Sequence, residues 1–381
     1  MRNITLFIMG PANSGKTVAW SNVFHQMTSR GGVSAEIDGE EHSYMLVGKR
    51  GWDAKFFNDV FLDMVKGQPL PKGSAENRSY EMAFLDQGKS IANVLYMDYS
   101  GSLTQREYDE GYEEQLEEFD FMLKNTGLLI FIITGDTLQK YIDFESVEKE
   151  SQESETLAGE IDDEINHIRT LLLKAESLET TAPILYYVTK SDRIDDEEQI
   201  IPALERLIKN WKLHPKDKQV LGCHSTIGRG CHIVESIDDN GAAIRYIESG
   251  FKPYGFEIPM LLTIGFCLST EGKKWAENRY LQLEQELDDA TNQRSNQQRK
   301  KDGIRGKIAN FFGRGKSTQA ELEQTQRRID ELKEARKNIN KDNLDRIHSQ
   351  RILNYLKAKH SQDVLYLDRN GENRDLKYFF E

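Results

Sequence analysis

The octapeptide Gly10-Pro-Ala-Asn-Ser-Gly15-Lys16-Thr17 constrains this chain more than any other feature. It matches G-x-x-x-x-G-K-S/T, and it lies between an apolar, β-rich run at 4–9 and a helical pattern at 16–30. That is the strand–loop–helix order a phosphate-binding loop requires. Glycines there let backbone N–H groups converge on a phosphate with no Cβ in the way, at the positive end of a helix. Gly10, Asn13, Ser14, Gly15 and Val18 are expected to line the cradle. Lys16 is expected to reach the β- and γ-phosphates of a nucleotide, and the Thr17 hydroxyl to hold Mg²⁺. The plain alternative is a chance match in a Gly/Ser turn.

Further apolar runs follow at 80–85, 93–97, 128–134, 184–189 and 219–223, with helical patterns at 103–125, 157–179 and 199–211. Such alternation predicts an α/β fold, a mainly parallel sheet with helices on both faces. The closely spaced runs 80–85 and 93–97 read as an antiparallel hairpin at one edge, and a helix over 259–269 as the closing element. From Gly272 to about residue 359 the chain is charged and free of proline. Apolar residues at Ala276, Tyr280, Leu283, Leu287 and Ala290 alternate steps of four and three. Leu322, Ile329, Leu332 and Ile339 continue on a similar frame beyond a glycine-punctuated stretch, 303–315. The pattern predicts three parts: a nucleotide-binding domain at 1–270, an α-helical hairpin at 271–361, and a short C-terminal β-hairpin at 362–381 around Asn370-Gly371.

Two later motifs carry chemistry. Asp98-Tyr-Ser-Gly101 ends the 93–97 strand, where an Asp can hold Mg²⁺ through water and the Gly101 N–H can sense a γ-phosphate. Thr189-Lys190-Ser191-Asp192 ends the 184–189 strand. The Asp192 carboxylate can accept from guanine N1–H and the N2 amino group, while the Lys190 stem lies along the base. Adenine offers neither donor, and a site built on such bonds can reject the analogue lacking them by about 10⁴. After the 219–223 strand, Ser225 is a candidate to bring a backbone N–H to guanine O6, with an ordinary strand-to-loop turn as the alternative. Cys223-His224 and Cys231-His232 do not read as a zinc site, because adjacent residues on a strand face opposite ways.

These ordered motifs resemble the TRAFAC, Ras-like class of P-loop GTPases over about residues 1–270. The resemblance implies GTP/GDP and Mg²⁺ as ligands and a GTPase acting as a molecular switch. Trp52, the helical pattern 56–66 and the stretch 67–74 further resemble the first switch of bacterial double-GTPases found in conflict-system operons, which implies a protein partner or second GTPase. Two departures stand out. No Thr occurs between Thr28 and Thr104, so Ser74 is the best substitute for the switch hydroxyl that binds Mg²⁺. Ser102 stands where the class places a water-orienting Gln, and Gln105 comes three residues late. The resemblance therefore implies slow, partner-stimulated hydrolysis, of order 10⁻³ s⁻¹ or less unaided. Lys72 and Arg78 are candidate fingers in cis, with a solvated loop charge as the favoured reading of both. The alternatives are a GTP-binding scaffold that does not hydrolyse and a dynamin-like membrane GTPase.

The net charge of −13 argues against a nucleic-acid partner. Three cysteines without paired spacing fit a reducing, cytoplasmic setting. The start reads as a first strand rather than a leader, and no apolar run approaches a membrane span. A local reversal occurs at 299–316, where seven Lys and Arg residues face one acid, Asp302. Ile304, Ile308, Phe311 and Phe312 share one helical face there. That describes an interfacial helix for an anionic membrane, which a hairpin of 25-residue helices would carry about 37 Å outward. A disordered basic loop and a face packed on the GTPase domain are the competing readings.

Overall fold

The computed structural model describes residues 2–11, 14–28, 32–49, 51–70, 78–98, 112–149, 151–228, 231–237, 243–302, 316–338 and 343–380. They divide into two compact units, 1–267 with 351–381, and 268–350.

The first unit is α/β. Its nine-stranded sheet runs in the order β11-β8-β7-β6-β1-β5-β4-β3-β2. The strands are β1 (Arg2–Met9), β2 (Val33–Ile37), β3 (Glu40–Gly48), β4 (Arg78–Asp86), β5 (Lys89–Asp98), β6 (Leu129–Thr134), β7 (Ile184–Thr189), β8 (Val220–His224) and β11 (Val364–Leu367). From β5 through β1, β6 and β7 to β8 the pairing is parallel, and the other strands are antiparallel to their neighbours. The central strands β6 and β7 are buried almost throughout. That is why both read as unbroken apolar runs rather than alternating ones.

Helices α1 (Lys16–Thr28), α2 (Gly51–Val65), α3 (Tyr112–Asn125), α4 (Gly135–Ser146), α5 (Gln152–Ser177) and α6 (Ile200–Asn210) cover the sheet. One core cluster joins α3, α4, α5 and α6 to the parallel strands through Phe119, Leu138, Ile165, Leu204 and Phe131. An aromatic group joins α1 and α2 to β4 and β5: Trp20 stacks on Tyr96 at 4.0 Å, and Phe57 packs on Tyr80 at 4.5 Å.

Several elements go beyond the sequence reading. β4 and β5 do form a hairpin, but the sheet continues past it through β3 and β2, so the edge strand is β2. The β2–β3 turn is Asp38-Gly39, with φ of 52° and 80°, the backbone that two-residue hairpins favour. α4 follows β6 without a loop, its first turn capped by the Thr134 hydroxyl, which accepts from Thr137 N–H at 3.2 Å. A separate two-stranded ribbon, β9 (His232–Ile237) with β10 (Ala243–Ser249), precedes the long helix α7 (Ile258–Asp302). α3 is described only from Tyr112, so the earlier part of the helix expected over 103–125 lies outside the described residues. The tail folds back after β11, where Leu367 forms an antiparallel bridge with Asn373, and Lys377–Phe380 is helical.

In the second unit, α7 and α8 (Lys316–Asn338) run antiparallel. Thr325 Oγ1 donates to Gln297 Oε1 at 3.1 Å, and Arg336 lies 4.8 Å from the Tyr280 ring. Leu283, Ala290, Leu322 and Ile329 are buried, four of the residues on the expected seam. α9 (Leu344–His360) then leads back into the first unit. The apolar stripe Ile304, Ile308, Phe311 and Phe312 lies outside the described residues.

Candidate nucleotide site

β1, β5, β6, β7 and β8 are parallel, so their C-terminal ends share one edge of the sheet. In open α/β sheets ligands bind outside that edge, where crossovers diverge to the two faces. Here β1 leads to the Gly10–Thr17 loop and β7 to Thr189-Lys190-Ser191-Asp192, with β6 between them.

The Gly10–Thr17 loop joins β1 to α1. Gly15 adopts φ of +90°, a conformation most side chains avoid, and α1 begins at the next residue. Lys16 is 8% exposed, and its ammonium donates to the Gly10 and Pro11 carbonyls at 2.9 and 3.0 Å. Phosphate oxygens are stronger acceptors than these carbonyls. Ser14 Oγ is buried with no hydrogen-bond partner among the described residues. The cradle therefore fits an anion. Val18 follows on α1. Asn13, Ser74, Gly101 and Gln105 lie outside the described residues, as does Ser102. Asp98 ends β5, paired in register with Arg78.

The base-side loop is fastened to the phosphate loop. Thr189 Oγ1 donates to the Ser14 carbonyl at 2.8 Å, a buried bond across 175 residues of sequence. Lys190 takes the left-handed conformation, φ 54° and ψ 37°, and turns the chain into a one-turn 3₁₀ helix, Ser191–Arg193. Its ammonium lies 3.8 Å from Asp136 Oδ2, at the start of α4. Burial pulls the Lys190 ammonium below its usual range, and Asp136 opposes that shift. Burial likewise raises the Asp192 carboxyl, against the backbone N–H groups of Asp192 and Ile227. Thr226 Oγ1 stands 3.5 Å from Asp192 Oδ1.

Ser225 does not hold the role expected of it. Its N–H donates to the Val188 carbonyl at 2.9 Å, and its hydroxyl pairs with Tyr187 OH at 2.6 Å. The N–H expected at guanine O6 is thus taken up at the β7–β8 junction. The next N–H, from Thr226, donates to the Tyr254 carbonyl at 3.1 Å.

Sequence reasoning missed several groups. His167 on α5 is held down to about 4 by burial first and by the Lys16 charge second, so a neutral imidazole accompanies the phosphate loop. A single His within a helical pattern gives no signal of this. The β9–β10 ribbon also touches the region between α2 and β4: Leu70 N–H donates to the Arg245 carbonyl at 2.6 Å, and Pro69 bridges Tyr246. Beyond β10, Tyr254 forms an antiparallel bridge with Thr226, the residue beside Asp192.

No known protein family and no curated protein matches this sequence. Among solved structures, two of Era match. One is Era with MgGDPNP and a piece of 16S ribosomal RNA; the other is an Aquifex aeolicus Era variant bound to GDP·AlF4⁻. Each is 14% identical with a TM-score of 0.27, over 59% of this chain and 51% and 52% of theirs. This chain thus spans about half the length of the solved chains it matches. The fold itself is α/β, with a mostly parallel central sheet. The likeness adds nothing to what strand order and loop geometry already give. The expectation of no nucleic-acid partner is not kept: the Era of the first structure is held with RNA. Net charge sums over a whole surface, whereas phosphate contacts need only a local basic patch. Among the described residues no helix is long and apolar enough to cross a membrane.

Proposed function

We propose that the chain binds GTP and GDP with Mg²⁺ and hydrolyses GTP slowly as a nucleotide-dependent switch. One observation carries the reading: the 2.8 Å bond from Thr189 to Ser14, which sets the loop bearing Asp192 beside the loop bearing Lys16. A nucleotide spanning them meets a cation at its phosphates and a half-buried carboxylate at its base. Lys16 exchanges the Gly10 and Pro11 carbonyls for phosphate oxygens and neutralises charge there. Asp192 accepts from guanine N1–H and the N2 amino group, and Lys190 lies along the ring. Thr17, Asp98 and Ser74 would hold Mg²⁺, which would supply positive charge to the phosphates. Gly101 belongs at the γ-phosphate. With Ser102 in place of a water-orienting Gln, and Gln105 displaced, unaided turnover is slow and a partner accelerates it.

The test is multiple-turnover phosphate release from GTP, with loss of turnover expected in Lys16→Ala. Asp192→Asn is expected to shift preference from GTP towards xanthosine triphosphate, and an unchanged preference contradicts the base assignment. Ser102 favours a second reading, a GTP-binding scaffold without hydrolysis. Tight GTP binding with no phosphate release would support it.

A further inference from the structure

Buried polar groups form a continuous line that ends at the base-side loop. Ser191, between Lys190 and Asp192, lies 3.3 Å from His224 Nδ1 and donates to the Ser225 carbonyl at 2.9 Å. His224 Nε2 lies 3.2 Å from Asp363 Oδ1. The other oxygen, Asp363 Oδ2, accepts from Tyr254 OH at 2.6 Å and faces His360 Nδ1 at 3.1 Å. His360 Nε2 reaches Glu257 Oε1 at 3.0 Å. Ser191, His224, Glu257 and His360 are 5%, 2%, 7% and 3% exposed.

Asp363 is the node, and it reaches Asp192 along two arms. One runs through His224 to Ser191, the residue before Asp192. The other runs through Tyr254, whose backbone exchanges two hydrogen bonds with Thr226, the residue facing the Asp192 carboxylate. The 3₁₀ turn carrying Asp192 has no side-chain cap of its own at Lys190. Its orientation therefore depends on what holds Ser191 and Thr226. Buried carboxylates and imidazoles cost more than apolar residues of the same shape, whereas a charged node with directional bonds can fix a geometry that apolar packing cannot.

We propose that Asp363, backed by His360, is a positioning residue for guanine recognition: it holds Asp192 in line with the base through His224–Ser191 on one side and Tyr254–Thr226 on the other. The inference rests on the guanine reading of Asp192. Burial alone would lower the His360 imidazole, but its bonds to Asp363 and Glu257 push it up to about 9. A cation thus stands behind Asp363 at neutral pH, and Asp363 is held well below the usual carboxylate range against its own burial.

The test compares dissociation constants of the full chain for GDP and IDP, since IDP lacks only the 2-amino group that Asp192 receives. The variants are Asp363→Asn, Ser191→Ala, Asp192→Asn and the double Asp363→Asn/Asp192→Asn. Asp363→Asn is expected to reduce the GDP-over-IDP preference about tenfold, Ser191→Ala to reduce it in the same direction, and the double variant to match Asp192→Asn alone. A residue that merely supports the fold would weaken both nucleotides equally and leave the ratio intact. If the wild type shows no Asp192-dependent preference, the guanine reading fails and takes this inference with it. If that preference is present and survives in Asp363→Asn and Ser191→Ala, this inference alone is overturned. Should Asp363→Asn not fold, Ser191→Ala, which loses a single oxygen, decides the matter.

Discussion

At Gly135 the start of α4 meets the base-side loop with no room for a side chain. A Cβ added there falls on the Lys190 carbonyl and within 3.3 Å of Ser191 Cα. Gly135→Ala therefore pushes the base-side loop outward rather than straining its own helix, since alanine suits α4 better than glycine does. The expected outcome is weaker guanine-nucleotide binding, about tenfold or more, together with a lowered melting temperature, because the atoms met are backbone; titration calorimetry and a melting curve measure the two effects. Thr189→Val is the matching removal on the other side. It keeps the shape and loses the bond to Ser14, so it is expected to cost about 1 kcal/mol of stability and to weaken binding of the whole nucleotide.

Among the elements, the β2–β3 hairpin isolates turn chemistry from the site. Gly39 has φ of +80° and nothing within 4 Å of an added Cβ. Gly39→Ala should therefore cost only the backbone penalty, about 1 kcal/mol by chemical denaturation, and leave GTP turnover unchanged. The sequence reading does not include that hairpin: Asp38-Gly39 is a hairpin turn, but the alternation around it is interrupted by charged residues at 40 and 41. α4 escaped notice because it follows β6 directly: Gly135 reads as the end of an element, and only the Thr134 cap marks the start of another. The β9–β10 ribbon lies across residues with no motif. Its bond to the region after α2, and those of Tyr254 to Thr226, join segments distant in sequence.

Across the whole molecule, two histidines titrate in opposite senses. His360, raised to about 9 from an ordinary 6.5, contributes stability that is fully present below pH 6.5 and is lost as pH rises through 9. The groups facing it are Glu257, Asp363, Tyr254 and Tyr355, with His224 beyond Asp363. His167, lowered to about 4, contributes stability present above pH 6.5 and lost as pH falls through 4. Stability measured against pH is therefore expected to peak near 6.5. His360→Gln flattens the alkaline limb and His167→Gln the acid limb, each by on the order of 2–3 kcal/mol. GTP or GDP added at 100 times its dissociation constant should raise stability by about 2.7 kcal/mol, and ATP should not.

What the sequence alone determined were features written in consecutive residues: the Gly10–Thr17 loop, the apolar runs of the parallel strands, the Thr189–Asp192 turn and the helical periodicity after Gly272. Each depends on a spacing the chain itself sets, so it can be read without knowing its neighbours. Only the tertiary structure decided which loops face one another, that Ser225 serves the sheet, and that Asp363 meets His224 across 139 residues. Such contacts depend on which crossovers bring which strand ends together, and no local pattern of residue types encodes that pairing.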